Sequence, residues 1–549
     1  MPGTYYAEVE SLTRQMVAIP SVVNSPGEAE IVSWIYDRLA VQPYYKEHPE
    51  NLRLIPTVND NVPRSNLIAL VKSGTGKTDT VIMMGHIDTV GVEEFGELRD
   101  LAYSPERLEK VLRTEGLSEE VQQDLTSGEW MFGRGSVDMK SGVAAQMAVF
   151  TRFAANPREL EGNLLLLVTP DEEDMSHGIL SALPQLAALA AEEGLNYVAV
   201  LNSDYTCARY PGDTGAYVYL GTAGKLLPSF YIIGKETHAG DCFAGLDPNL
   251  IAAELTRLID FNPELCDISF GEVSVPPVSL KQSDLKEVYD VRTPLAAYTY
   301  YNFFTHQHTP EDVLQLMIEK GKQTVDNVLE YLNTAYARYC TLSHLPTGKL
   351  PWQIEVFSYQ DFFRQIAEIR GKPFLEAMET KAAELLIDPS LDLRKFSVKM
   401  IEAVWQWSQR KAPAIITYFS SAYSPRVALD PAAKNIQRLM KSLEDATQKV
   451  QGTTKKAIAI RNYYPYISDM SYIGSCDLAG IDCLTANMPA YGSKYLIDPE
   501  LLSQLNVPVV NIGPFGADAH KVTERVYKPY SFETLPLLLE ATIHRLWAE

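Results

Sequence analysis

The sequence predicts an α/β fold, a doubly wound mixed sheet with helices on both faces, into which a second, α+β domain is inserted. Over the first 211 residues, short apolar runs alternate with amphipathic helical stretches, as is typical of such sheets. Aromatic-rich strands and long helices follow from residue 212, and the α/β pattern returns near residue 457. The length of 549 residues also exceeds the size at which one core usually keeps growing. We therefore expect one domain from residues 1–211 and 426–549, and an inserted domain from residues 212–425.

The individual elements follow from hydrophobic periodicity. Apolar residues at helical spacing predict helices over residues 5–19, 27–40, 139–150, 178–193 and 531–547. β-Rich or continuously apolar runs predict strands over residues 66–71, 80–84, 164–168, 197–201, 457–460 and 507–512. A charged helical stretch covers residues 93–127, and the inserted domain is predicted to contain long helices between residues 309 and 410.

Composition excludes several classes of function. The net charge of −22 argues against nucleic acid or an anionic membrane as the main partner. No apolar run reaches the roughly 18 residues of a membrane span, and the N-terminal residues lack the pattern of a signal peptide. The six cysteines contain no C-x-x-C pair, which is typical of reduced thiols in a cytoplasm. We therefore expect a cytoplasmic protein with no nucleic-acid or membrane partner.

A carboxylate, Asp138, lies in a glycine-flanked turn just before a predicted helix. The stretch reads Gly133-Arg-Gly-Ser-Val-Asp138-Met-Lys-Ser-Gly142, and its small residues allow a sharp turn and close approach to a ligand. Taken alone, Asp138 is more simply explained as a helix N-cap.

Similar side chains follow the neighbouring strands. They are His86 and Asp88, Glu172 and Glu173, Asp204, and, in the returning half of the domain, His520. Each alone could be an ordinary buried histidine, a solvated turn or a loop residue. Together they form the mixed nitrogen and oxygen donor set that zinc accepts. Because ligands collect at the carboxyl ends of strands in α/β sheets, the sequence predicts a metal site there.

Three strings in this set resemble the signatures of a known family, the di-zinc metallopeptidases and amidohydrolases. That family includes aminoacylases, glutamate carboxypeptidases, acetylornithine deacetylase and succinyl-diaminopimelate desuccinylase. The strings are His86-x-Asp88-Thr-Val, Gly133-Arg-Gly-x-x-Asp138-Met-Lys-x-Gly142 and Asp171-Glu172-Glu173. The resemblance implies a di-zinc hydrolase catalytic domain with an enlarged lid or dimerisation domain inserted into it.

The same resemblance implies a role for each residue. Asp138 would bridge two zinc ions, with cobalt or manganese as alternative metals. His86 and Asp204 would complete one site, and Glu173 and His520 the other. Asp88 would orient His86, and Glu172 would be the general base.

The inserted domain also carries a family-like string, Gly234-Lys-Glu-Thr-His238-Ala-Gly240. The resemblance implies that His238 polarises the substrate carbonyl, often from a partner subunit, and it is compatible with a homodimer through the inserted domain. A packed loop histidine is the ordinary alternative. The chain length and the extra segment 342–425 are similar to a long branch of the family associated with arginine utilisation.

One departure concerns the substrate carboxylate. Family peptidases hold it with an Asn of an Asn-x-x-Pro segment and an Arg ten positions beyond that proline. Here these positions are occupied by Val291 and Phe304, although Arg292 could substitute. With the predicted metal site, the resemblance implies hydrolysis of an amide in a small N-acyl amino acid or a related, arginine-derived compound, with the substrate held in a way that differs from that of family peptidases. The alternatives are a dipeptidase or carboxypeptidase with the same site, and a ligand-binding or regulatory protein without turnover.

Overall fold

The computed structural model describes residues 5–474 and 476–548. The strands are β1 (Leu52–Pro56), β2 (Ser65–Val71), β3 (Asp79–His86), β4 (Trp130–Phe132), β5 (Asn163–Thr169), β6 (Asn196–Asn202), β7 (Thr206–Cys207), β8 (Ala216–Leu220), β9 (Gly224–Leu226), β10 (Pro228–Ile233), β11 (Ile268–Ser269), β12 (Glu272–Val273), β13 (Val278–Asp284), β14 (Ala296–Thr305), β15 (Glu355–Ser358), β16 (Ala414–Phe419), β17 (Ile458–Arg461), β18 (Val509–Asn511), β19 (Phe515–Ala517) and β20 (Arg525–Tyr527).

The α-helices are α1 (Tyr6–Val17), α2 (Gly27–Ala40), α3 (Pro43–Glu47), α4 (Pro105–Leu112), α5 (Glu119–Ser127), α6 (Ser141–Ala155), α7 (His177–Glu193), α8 (Pro248–Ile259), α9 (Pro310–Leu342), α10 (Tyr359–Arg370), α11 (Lys372–Leu386), α12 (Leu393–Ser408), α13 (Lys434–Val450), α14 (Met470–Ile473), α15 (Ile481–Ala486), α16 (Pro499–Leu505) and α17 (Leu535–Ala548). Among the described residues, none of these helices has both the length and the apolar character needed to cross a bilayer.

An eight-stranded mixed sheet forms the centre of the first unit, in the order β1-β2-β5-β3-β6-β18-β8-β17. Its middle strands β5, β3, β6 and β18 are parallel. Every residue of β5 is buried, and successive side chains of a strand point to opposite faces, so both faces of the sheet must be covered. Helices α6 and α17 pack on β3, and α7 packs on β2. This is the predicted α/β class.

A smaller, four-stranded sheet of the same unit, in the order β4-β20-β19-β7, carries two turns. The first connects β4 to α6 and contains Asp138, and the second connects β19 to β20 and contains His520. Gly135 has a φ of 74°, which favours glycine, and a Cβ at Gly142 would lie 2.0 Å from the carbonyl oxygen of Ser203. The turn continues to Lys140, so the helix predicted from residue 139 begins at Ser141.

The second unit is built on a sheet in the order β13-β14-β10-β16-β15, with β9 paired to β14. Helices α8 and α9 pack together, and α10, α11 and α12 form the extra helical segment. α9 begins with a capping box, in which the side chains of Thr309 and Asp312 satisfy each other's backbone amides.

The two units comprise residues 1–222, 427–476 and 500–549, and residues 223–426 and 477–499. They differ from the predicted ranges at two places. The chain passes to the second unit after residue 222, because β8 still belongs to the large sheet. Segment 477–499, predicted within the first domain, belongs to the second unit. There the backbone amide of Phe419 donates to the carbonyl of Asn487, and that of Gln360 donates to its side chain, contacts between distant residues that no local pattern indicates.

Candidate metal centre

The parallel strands bring the predicted donors to one edge of the large sheet. His86, the last residue of β3, is in register with Thr169, the last residue of β5. Asn202, the last residue of β6, is in register with Asn511 of β18. The chain continues from these strand ends to Glu172, Glu173 and Asp204, which explains why the acids meet at this edge.

A first group of three possible metal ligands consists of His86, Asp138 and Asp204. All three are buried, and one ligand atom from each lies within 4.8 Å of the others. Within this group, His86 Nε2 lies 3.2 Å from Asp138 Oδ1. The peptide bond that follows Asp138 is cis.

A second group consists of Asp138, Glu173 and His520, again with ligand atoms within 4.8 Å of one another. His520 Nε2 lies 3.0 Å from Asp138 Oδ2 and 3.0 Å from Glu173 Oε1. Asp138 therefore presents one carboxylate oxygen to each group. One imidazole and two carboxylates per group suit a divalent metal such as zinc.

The electrostatics of the acids also fit a cation. Burial, reinforced by the Asp138 carboxylate, raises the pKa of Asp204 to about 8. Burial likewise raises the pKa of Glu173, with Asp138 again contributing, and raises that of Glu172 well above its usual range. Buried carboxylates that raise one another's pKa are stabilised in their ionised form by a positive charge among them. The donor set thus fits the metal ions implied by the resemblance.

Asp88 connects the end of β3, which carries His86, to the loop that carries Glu172 and Glu173. It is fully buried, and its carboxylate accepts hydrogen bonds from the backbone amides of Glu172 at 3.2 Å and Glu173 at 3.0 Å. His86 Nδ1 lies 3.2 Å from the backbone oxygen of Asp88 and 3.6 Å from its Oδ1. Asp88 therefore contacts both His86 and the loop that carries the two glutamates.

Glu172 lies beside the ligand groups and belongs to neither of them. Its Oε2 is 4.0 Å from His86 Nε2, and about a tenth of its side chain is exposed. The two glutamates lie in a turn. The turn begins at Asp171, whose φ of 68° is uncommon for a residue other than glycine.

A buried ion-pair network holds that turn. Arg64 Nη2 lies 2.9 Å from Asp171 Oδ1, and Arg64 Nη1 donates to Glu28 Oε2 at 2.7 Å. Glu28 Oε1 accepts from the backbone amide of Asp171 at 3.0 Å, and His177 Nδ1 lies 2.6 Å from Asp171 Oδ2. Sequence reasoning assigned these residues no role.

Two further acids near the centre were missed. Glu524 is fully buried, pairs with Arg134 and accepts weakly from the backbone amides of Val137 at 3.3 Å and Asp138 at 3.5 Å. Asp469 is buried and accepts from Thr169 Oγ1 at 3.0 Å, at the end of β5. The only signal for Glu524 was its position shortly after His520. Its contact with Arg134, almost 400 residues earlier, arises because the following strand, β20, pairs with β4.

His238 lies in the second unit and is not part of either ligand group. It is exposed, and its Nδ1 accepts a hydrogen bond from the backbone amide of Gly240 at 3.0 Å. Its backbone forms a bridge with Arg292, whose guanidinium bonds Asp290 Oδ2 at 2.8 Å. Phe304, at the position where the resemblance expects an arginine, is half-buried on β14.

Comparisons with known proteins support the resemblance. A sequence profile of peptidase family M20/M25/M40 matches residues 82–493. The chain is 35% identical to protein RocB of Bacillus subtilis (strain 168) over 542 residues, which cover 98% of this chain and 95% of that protein. It is 25% identical to a succinyl-diaminopimelate desuccinylase of Buchnera aphidicola over 335 residues, 60% of this chain and 74% of the other. The crystal structure of aminopeptidase PepT from Bacillus cereus shares the fold, with a TM-score of 0.51 at 11% identity and 99% coverage of both chains.

Proposed function

Because the chain belongs to peptidase family M20/M25/M40, a family of metal-dependent hydrolases, we propose that it cleaves an amide bond in a small N-acyl amino acid or a related, arginine-derived compound. The observation that carries the proposal is the pair of ligand groups that share Asp138, with Glu172 beside them and ligating in neither.

Two divalent cations, zinc in our proposal with cobalt or manganese as alternatives, would be held by these groups. His86, Asp138 and Asp204 would hold one ion, and Asp138, Glu173 and His520 the other. Bound there, the ions would lower the pKa of a water molecule and polarise the substrate carbonyl.

Glu172 is proposed to be the general base. Its carboxylate would take a proton from the attacking water and then deliver it to the nitrogen of the leaving amine. The raised pKa that burial gives this carboxyl suits a group that must gain and lose a proton. Asp88 would hold Glu172 in place through the backbone amide and would orient His86. His238 is proposed to donate a hydrogen bond to the oxygen of the scissile carbonyl.

The substrate class is inferred from the departure in the inserted domain. Phe304 cannot form the bidentate contact by which arginine grips a carboxylate. An apolar or cation-facing surface is more compatible with its aromatic ring. The likeness to the long branch associated with arginine utilisation supports a basic or neutral amide.

A dipeptidase or carboxypeptidase is the second candidate, and one contact favours it. The backbone bridge between Arg292 and His238 places an arginine opposite the histidine assigned to the carbonyl. An arginine there could take a free carboxylate in place of the usual one.

The inserted domain is also proposed to form a homodimer. β13 lies at the end of its sheet's strand order. Leu280 on this strand is 55% exposed, and Phe270 on the adjoining hairpin is 54% exposed. An exposed strand edge with apolar side chains favours pairing with another chain. We further propose a cytoplasmic location, since the scattered cysteines of the sequence, without a C-x-x-C pair, are typical of reduced thiols.

The test is a deacylation screen of N-acyl amino acids, N-acylated arginine derivatives and dipeptides, with zinc, cobalt or manganese supplied to metal-free protein. We expect two metal ions per chain by elemental analysis and metal-dependent release of an amine. If the protein binds no metal after incubation with excess zinc, cobalt or manganese, the proposal is overturned. Cleavage of dipeptides alone would favour the second candidate. Glu172→Gln, measured in parallel, separates hydrolysis by this site from that by a contaminant.

A further inference from the structure

The segment between His86 and Asp138 forms an apolar cluster of its own, although its sequence is highly charged. Its buried members are Phe95, Ala102, Leu108, Leu112, Val121 and Leu125, together with Phe132 of β4. Val522, two residues after His520, packs against the same cluster. The segment therefore contacts both the strand that leads into the Asp138 turn and the turn that carries His520.

An arginine in the small sheet joins this segment to the His520 turn. Arg525 is 1% exposed and is paired with Phe132 on one side and with Ala517 on the other. Its Nε donates to Asp124 Oδ2 of α5 at 2.7 Å, and its Nη1 donates to Asp518 Oδ2 at 2.5 Å. One guanidinium thus connects helix α5 to the beginning of the turn.

The His520 turn has a backbone that requires such support. Asp518 and His520 have φ values of 57° and 65°, in the left-handed region that residues other than glycine seldom adopt. The Asp518 carboxylate also accepts from Thr523 Oγ1 at 2.9 Å, which closes the turn from within. The His520 side chain is 47% exposed. The orientation of its imidazole therefore depends on the backbone of this turn and on its contacts with Asp138 and Glu173.

The helix that supplies Asp124 is well defined at both ends. The Ser118 side chain accepts a hydrogen bond from the backbone amide of Val121 at its start, and Gly128, with a φ of 69°, ends it. At the other end of the segment, Arg134 Nε donates to the carbonyl of Gly91 at 3.0 Å, and the Arg134 amide donates to the carbonyl of Ala102 at 2.9 Å. The segment is therefore attached both to the Asp138 turn, through Arg134, and to the His520 turn, through Arg525.

We propose that segment 91–127 is a brace that positions His520 for the second metal ion, with Asp124 and Arg525 as its positioning residues. This inference rests on the two-metal function proposed above. A brace of this kind accounts for the length of the segment, which the sequence alone left without a role. Removing the contact of Asp124 should leave the first metal group, His86, Asp138 and Asp204, intact.

The test is zinc titration of metal-free protein against a chromophoric chelator, with wild type, Asp124→Ala, Asp124→Asn and Glu120→Ala. Glu120 is the matched control, because this acid lies on the same helix and faces the same arginine, but at 3.6 Å and with its side chain 81% exposed. We expect Asp124→Ala to keep the affinity of one site and to lose at least about 10-fold in affinity at the other, as expected for a residue that orients a ligand from outside. Asp124→Asn should lose less, and Glu120→Ala should stay within about twofold of wild type, as surface ion pairs contribute little.

His520→Ala identifies which site is affected. It should weaken the same site, and adding Asp124→Ala to it should cause no further loss, because both changes then act through one side chain. Hydrogen exchange of the amides of Lys521 and Glu524 in metal-free protein gives a readout independent of metal and activity, and we expect it to accelerate in Asp124→Ala.

The outcomes separate the two proposals. Wild-type protein that binds fewer than two zinc ions would overturn the two-metal function itself. If wild type binds two zinc ions and Asp124→Ala binds both with unchanged affinity, the positioning role of segment 91–127 is wrong, but the two-metal function is not contradicted. If Asp124→Ala does not fold, as judged by circular dichroism, Asp124→Asn decides by the same criterion.

Discussion

The carboxylate of Asp88 holds the backbone amide of Glu172 at 3.2 Å, and with its other oxygen it holds the next amide along, that of Glu173, at 3.0 Å. A single buried acid thus places the proposed base and a proposed metal ligand relative to each other. Since the same residue contacts His86, it links two loops that are distant in sequence.

Asp88→Asn is expected to reduce both metal affinity and turnover by about 10- to 100-fold, the usual cost of disturbing a group that orients a ligand. An amide of the same shape can accept from one backbone amide but meets the other with an N–H group. Metal titration and kcat on the same preparation check this.

Asp174→Asn is the control for Asp88→Asn. Asp174 is an exposed acid on the same loop, and its carboxylate accepts from the side chain of Asn24. It should retain wild-type metal content and rate. Equal losses in both variants would indicate that loop stability, and not the placement by Asp88, is being measured.

Glu172→Gln should lower kcat by about 10²- to 10⁴-fold, the range that general acid and base catalysis supplies. Metal content should stay near two ions per chain, because the side chain belongs to neither ligand group. Elemental analysis and kcat on one preparation test both parts. Near wild-type turnover would contradict the assignment of the base, whereas Glu173→Gln should instead reduce metal content.

His238→Ala should leave metal stoichiometry unchanged and lower kcat by about 10²- to 10³-fold, as expected when one donor to a developing oxyanion is removed. The exposed His48 provides a control, and His48→Ala should be neutral. A full-rate His238→Ala variant would refute the proposed role, as would the loss of a metal ion.

Matched substrates with the carboxylate free or amidated test how the substrate is held. We expect little preference between them, because Phe304 replaces the usual arginine. In that case Arg292→Ala, which removes a side chain that is 57% exposed and already paired with Asp290, should change KM by less than about threefold, within the small effects typical of surface ion pairs. A strong preference for the free acid that disappears in Arg292→Ala would instead support the carboxypeptidase alternative.

The sequence by itself determined the class of the fold and the family. Both depend on local information: apolar periodicity over a few residues predicts strands and helices, and short strings such as His86-x-Asp88 and Asp171-Glu172-Glu173 carry the donor types. Because β3, β5 and β6 are parallel, donors that follow each strand must meet at one edge. The family profile and RocB confirm the resemblance drawn from those strings.

Only the tertiary structure decided how the donors are held. Asp88 meets the glutamate loop across 84 residues, Glu524 meets Val137 across 387, and Arg525 meets Asp124 across 401. The turn at Glu172 and the place of segment 477–499 in the second unit depend on similar distant contacts. Such contacts leave no periodic trace, because a buried polar group needs only a partner of the right chemistry in space, wherever the fold brings one.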